Sequence, residues 1–120
     1  MQRRTTLLLL LAATLLGQPQ PAKSTFLVIY KPGPSFIQGK PLKEQPLQEH
    51  GRYILSLYGK GVLKFAGPFG DDTGGAAVLE TASEAEAKTI VANDPAVVSH
   101  IFVTEMHPWE LVQWERLSKK

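Results

Sequence analysis

The chain has 120 residues, no cysteine, and 13 basic against 11 acidic side chains. That is the length of a single domain, and the missing thiol excludes disulfides, thiolate catalysis and lipid attachment through an N-terminal cysteine. Arg3, Arg4 and Lys23 lie in the leader region, so the remainder carries 10 basic and 11 acidic groups, net −1. No basic nucleic-acid surface is expected from that balance.

The first 22 residues read as a secretory signal peptide. Arg3 and Arg4 form the basic start, Leu7 to Leu16 is apolar apart from Thr14, and Gly17-Gln18-Pro19-Gln20-Pro21-Ala22 breaks any helix. The apolar run is too short for a bilayer span, which needs roughly 20 residues. The expected organisation is a signal peptide at 1–22 and one domain at 24–120. The expected product is secreted or periplasmic and free of the membrane once the signal is cleaved.

Thr25 to Tyr30 is rich in β-branched and aromatic residues and reads as a strand with both faces apolar. Lys31-Pro32-Gly33-Pro34 ends it. The stretch up to Gln45 reads as a long loop without regular structure, either a lid or a plain surface excursion. Pro46 suits a helix start, and Leu47–Tyr58 reads as a helix. Its expected inward stripe is Leu47, Gly51, Ile54 and Tyr58, with His50 and Leu57 at the border and Tyr53 one turn beyond His50.

Val62–Glu80 then carries two apolar runs around Gly67-Pro68-Phe69-Gly70-Asp71-Asp72-Thr73-Gly74-Gly75, the pattern of a hairpin with a structured loop. Ser83-Glu84-Ala85-Glu86 is a capping box opening a second helix, with Ala87, Ile90 and Val91 inward. Asp94 continues that stripe into the last turn, where an acidic residue opposes the helix dipole, and Pro95 ends the helix. Ser99–Glu105 reads as a last strand, His107-Pro108-Trp109 as a turn, and Glu110–Leu117 as a short terminal helix.

The order is β-α-β-β-α-β, which predicts an α+β, ferredoxin-like antiparallel sheet with two helices on one face. In that topology one edge collects the end of the first strand, the start of the first helix, the hairpin loop and the end of the second helix. His50 and Asp94 therefore belong at the same end on inward stripes. A His near a helix N-terminus is favoured in its neutral form, and a carboxylate in reach would fix its tautomer and stabilise the imidazolium after proton transfer. Gly67 and Pro68 would leave room for a small ligand, and amides near Gly74 and Gly75 could donate to an anionic oxygen. Tyr30, Tyr53 and Ser83 are the candidates for a second acid or nucleophile. The competing reading is a satisfied polar pair that closes the core. No metal site is expected from the ligand spacing, because His100 and His107 read as a strand and a turn residue. No cofactor is expected, since Gly67 to Gly75 lacks nucleotide-binding spacing. Lys31, Lys40 and Lys43 could attract an anionic substrate, and Asp71-Asp72 reads as a solvated loop. Two helices cover only one face of the sheet, so the apolar other face predicts a homodimer, with Trp109 and Trp114 available to seal it.

The ordered set Gln45-Pro46, His50, Gly61-Val62-Leu63, Ala66-Gly67-Pro68-Phe69, Asp72, Gly74-Gly75, Ala82-Ser83, Ala87, Asp94-Pro95-Ala96-Val97 and Pro108-Trp109 resembles the YCII-related (YciI-like) family. The resemblance runs from about Thr25 to Trp109. It implies a dimeric α/β barrel and places the family's proposed active-site pair on His50 and Asp94. Relatives include dehalogenating enzymes of chloroaromatic breakdown, and the fold is shared with lactone isomerases. Two departures stand out. Ala96 replaces a frequent Phe, and most members lack a signal peptide. Three roles remain: an acid–base enzyme acting on a small organic molecule, a binding module using the same pocket, or a structural dimer.

Overall fold

The structure is a computed structural model and describes residues 22–119; the expected signal peptide falls almost wholly outside them. The elements are β1 (Ser24–Pro32), α1 (Gln48–Gly59), β2 (Leu63–Pro68), β3 (Gly75–Thr81), α2 (Glu84–Ala92), α3 (Pro95–Val98), β4 (Phe102–Pro108) and α4 (Trp114–Ser118). A 3-10 turn at Leu42–Glu44 interrupts the long connection before α1. The sheet is antiparallel throughout, in the order β2-β3-β1-β4. This is the ferredoxin-like α+β arrangement the element order predicts.

Strand alternation sorts the side chains. On β1, Phe26, Val28 and Tyr30 are buried, while Leu27 and Ile29 are half-buried on the other face. On β3 the buried set is Gly75, Ala77, Leu79 and Thr81. Leu57 of α1, Val91 of α2 and Ala96 of α3 join Val28, Tyr30, Leu63, Ala77, Leu79 and Phe102 in one core. Each Val, Leu or Phe among them contributes about 1.5–3 kcal/mol when fully buried. The register places Leu27 beside Val78 and Lys31 beside Val103 on the open face.

Three sequence expectations are corrected. The helix begins at Gln48 with Leu47 as its N-cap, so its inward stripe is His50, Tyr53, Ile54 and Leu57, spaced i, i+3, i+4, i+7. Tyr58 is 64% exposed and Leu57 is 4% exposed, which moves His50 from the border into the stripe. The second helix stops at Ala92 with Asn93 as its C-cap, so Asp94 opposes no helix dipole. Asp94 is instead the N-cap of α3, and Pro95, which has no amide hydrogen to lose, takes the first helical position. That extra turn pushes β4 on to Phe102–Pro108, so His100 falls in a tight turn at φ 63° and His107 falls within the strand.

The hairpin is locked to β1 by a glycine. Gly74 has φ +142°, and a Cβ there would sit 2.0 Å from the Tyr30 carbonyl oxygen. Only glycine allows that approach, and it fixes the hairpin end against the residue that ends the buried stripe of β1.

Candidate functional site

The end of β1, the first turn of α1, and the two-residue link between α2 and α3 converge as the topology requires. His50 Nδ1 lies 2.9 Å from Asp94 Oδ1 and 2.8 Å from Oδ2. Asp94 is fully buried at 0% exposure. Its Oδ1 also accepts the Ala96 amide at 2.9 Å. One carboxylate thus caps α3 and holds the imidazole. Because a carboxylate accepts and does not donate, Nδ1 of a neutral His50 carries the hydrogen, leaving Nε2 with its lone pair. The His50 side chain is 19% exposed and that of Asp94 1%, so the ring shields its partner from solvent.

Two aromatic rings fix the imidazole plane. Tyr30 meets it edge-on at 5.4 Å and 73°, and Phe102 does so at 5.5 Å and 73°. Burial first, then the Asp94 carboxylate and Tyr53, holds the Tyr30 phenol well above the ordinary range of its ionisation. Tyr30 therefore meets its surroundings as a neutral O–H donor.

A cavity of about 400 Å³ opens in front of His50, within the size range of small-molecule sites. Tyr30, His50, Gly67, Pro68 and Gly74 line it, together with Phe102, Leu42 and Lys43. Asp94 stands behind His50 and does not line it. At Gly67 a Cβ would meet no atom within 4 Å, which agrees with open space at that wall.

Two expected site residues are elsewhere. The Tyr53 hydroxyl donates to the Ile90 carbonyl at 2.6 Å, tying α1 to α2; burial and then Asp94 raise its ionisation. Ser83 Oγ accepts the Glu86 amide at 3.1 Å, and Glu86 reaches back to the Ala82 amide at 3.3 Å. The capping box uses that side chain, and it lies at the far end of α2 from Asp94. Among the described residues, no three His, Asp or Glu side chains group as metal ligands would. His107 bonds Glu105 at 2.8 Å on the open face, and burial does not enclose that pair.

The long connection before α1 is a fixed roof. Gln45, 6% exposed, donates to the carbonyls of Ile37 at 2.9 Å and Lys40 at 3.0 Å and accepts the Ile37 amide at 2.8 Å. Asp72 Oδ1 accepts the Leu42 amide at 3.0 Å across the hairpin, while Asp71 closes a local turn on Thr73. Gln45, Leu42 and Phe102 were not among the site residues expected from the sequence; Asp72 is exposed, as a solvated loop residue should be, and has the added role of holding the Leu42 amide. A Gln among loop residues and a Phe in a strand carry no local mark of those roles.

The profile of the YCII-related domain matches residues 25–110. Among curated proteins, none matches the sequence. The structure is similar to that of 5-chloro-2-hydroxyhydroquinone dehydrochlorinase (TftG) from Burkholderia phenoliruptrix AC1100, solved in complex with 2,5-dihydroxybenzoquinone, at a TM-score of 0.60 and 25% identity. The likeness covers 75% of this chain and 97% of that one. With 86 consecutive residues under the family profile and the fold it implies, the chain belongs to the YCII-related family.

Proposed function

We propose that this chain is an acid–base enzyme acting on a small oxygenated ring compound. The observation that carries the reading is the His50–Asp94 pair, with Nδ1 bound to a buried carboxylate and the ring on the wall of the 400 Å³ cavity. Nε2 takes a proton from ligand carbon or oxygen, and Asp94 stabilises the resulting imidazolium. Tyr30 donates its O–H to the oxygen on which negative charge develops, in the manner of an oxyanion donor. The resemblance to a dehydrochlorinase favours loss of HCl from the keto tautomer, in which the chlorine-bearing carbon is protonated. The base takes the proton of a ring hydroxyl, and the O–H electron pair becomes a carbonyl. The ring electrons shift to form a carbon–carbon double bond at the chlorine-bearing carbon, and chloride leaves with the C–Cl pair to give a quinone. A second reading, ligand binding without turnover, draws on the few polar groups of the cavity wall, which are Tyr30, His50 and Lys43.

Incubation with 5-chloro-2-hydroxyhydroquinone, followed by chloride release, tests the reading. Wild type should release chloride, and His50→Gln should lose about 10²–10⁴ of the rate. Binding without chloride release would select the second reading, and an unchanged rate in His50→Gln would remove His50 as the base.

The same proposal includes a homodimer formed through the open sheet face, where Phe65 is 75% and Val103 45% exposed; a monomer in sedimentation equilibrium would remove it. It also includes export directed by residues 1–22 to the periplasm or exterior, and N-terminal sequencing of the natural protein would settle whether that segment is lost.

A further inference from the structure

The cavity has one formally charged lining side chain, Lys43, and the fold holds the segment that carries it from two sides. The Gln45 side chain closes three bonds beneath it. Asp72, held at φ 68°, a conformation that costs a non-glycine residue free energy, accepts the Leu42 amide. Leu42 itself packs on the core. Lys43 is therefore carried on a fixed turn and not on a free loop. Lys31, Arg52 and Lys64 have carboxylate partners in Glu105, Glu49 and Glu80, whereas Lys40, Lys60, Lys88 and Arg116 have none among the described residues and do not line the cavity. Lys43 has none among the described residues, and no carboxylate lines the cavity.

The rest of the wall is apolar or small. Leu47, Ile54, Pro68 and Phe102 supply apolar surface, and Gly67 and Gly74 leave the hairpin side without side-chain relief. Such walls suit a flat ring. The polar groups are the Tyr30 O–H donor, the His50 ring and the Lys43 cation, a set complementary to a ligand that is electron-rich and negatively charged.

Resting on the reading of this cavity as a small-molecule site, we propose that Lys43 is a specificity-determining residue, selecting small aromatic ligands that carry an anionic oxygen group. The ring lies against the apolar walls, a hydroxyl or carbonyl meets Tyr30 and His50, and the anionic group faces Lys43. Because Lys43 is exposed, the pair is partly screened and is worth about a five-fold difference in affinity rather than several decades.

The test uses two probes with the same ring and hydroxyls and different charge, gentisate and its carboxamide, gentisamide. Binding is followed on the His50 ring resonances at low salt. Wild type should bind gentisate about five-fold or more tighter than gentisamide. Lys43→Met should abolish that preference and leave gentisamide affinity unchanged, and Lys43→Arg should retain it. Asp72→Ala, which frees the Leu42 amide, should reduce the preference partway. A preference that survives in Lys43→Met, or none in wild type while gentisamide still binds, overturns the assignment of Lys43 and leaves the acid–base reading standing. If neither probe binds or moves the His50 resonances, the small-molecule reading of the cavity falls, and this inference falls with it.

Discussion

Ser83 and Asp94 are both N-caps, placed at opposite ends of α2, and their difference locates the site. Ser83 is exposed and accepts one amide, that of Glu86. Asp94 is fully buried and accepts both the Ala96 amide and His50 Nδ1. A hydroxyl would satisfy the cap alone. A carboxylate with no exposure is costly to bury unless it is fully hydrogen-bonded, and the second bond it makes is to the residue that faces the cavity. The same capping device is structural at one end of the helix layer and joins structure to chemistry at the other.

The largest effect that would break this comparison is at Asp94. Asp94→Ala removes the cap and leaves the buried His50 nitrogen without its acceptor, so a loss of about 3–5 kcal/mol is expected in urea unfolding. Asp94→Asn keeps an oxygen for Ala96 and should cost less, about 1.5–3 kcal/mol. It should also scramble the His50 tautomer, read from its ring nitrogen shifts. An Asn variant with the wild-type tautomer would mean that the carboxylate does not orient the ring. Ser83→Ala should cost only about 1 kcal/mol and leave the His50 shifts and any turnover unchanged; a change in either would make the two caps alike after all.

The smallest effect concerns Tyr30 and is visible only in alkali. Its phenol ionises later in the folded chain than in the unfolded one. Above about pH 10 the unfolded chain therefore releases a proton that the folded chain keeps, and stability falls as pH rises. Tyr30→Phe should flatten that alkaline slope, measured as urea midpoints between about pH 9 and pH 11, without abolishing it, because Tyr53 is shifted the same way. An unchanged slope would mean that Tyr30 is not held in its neutral form.

Much of the fold was legible locally. Capping chemistry at Ser83, the β-branched and aromatic run of β1 and the Gly-Pro-Asp hairpin between β2 and β3 depend on neighbours within a few residues, and the element order followed from them. Even the meeting of His50 and Asp94 followed, because strand direction and helix position restrict which residues share an end. One premise used to single out Asp94 was mistaken. It breaks no dipole rule, since Asn93 ends α2 and Asp94 begins α3. The sequence Asn-Asp-Pro contains both a stop and a start, and periodicity reads straight through it.

The amino-acid sequence by itself determined the order of elements, the two faces of β1, and the pair of residues that carries the candidate chemistry, because each rests on local propensity or on topology. Only the tertiary structure decided that Tyr53 and Ser83 are engaged elsewhere, that Tyr30 and Phe102 clamp the imidazole, and that Gln45 and Asp72 fix a roof bearing Lys43. Those facts depend on which side chain reaches which backbone group across long sequence separations. A hydroxyl or amide shows nothing of its eventual partner until packing has removed the alternatives.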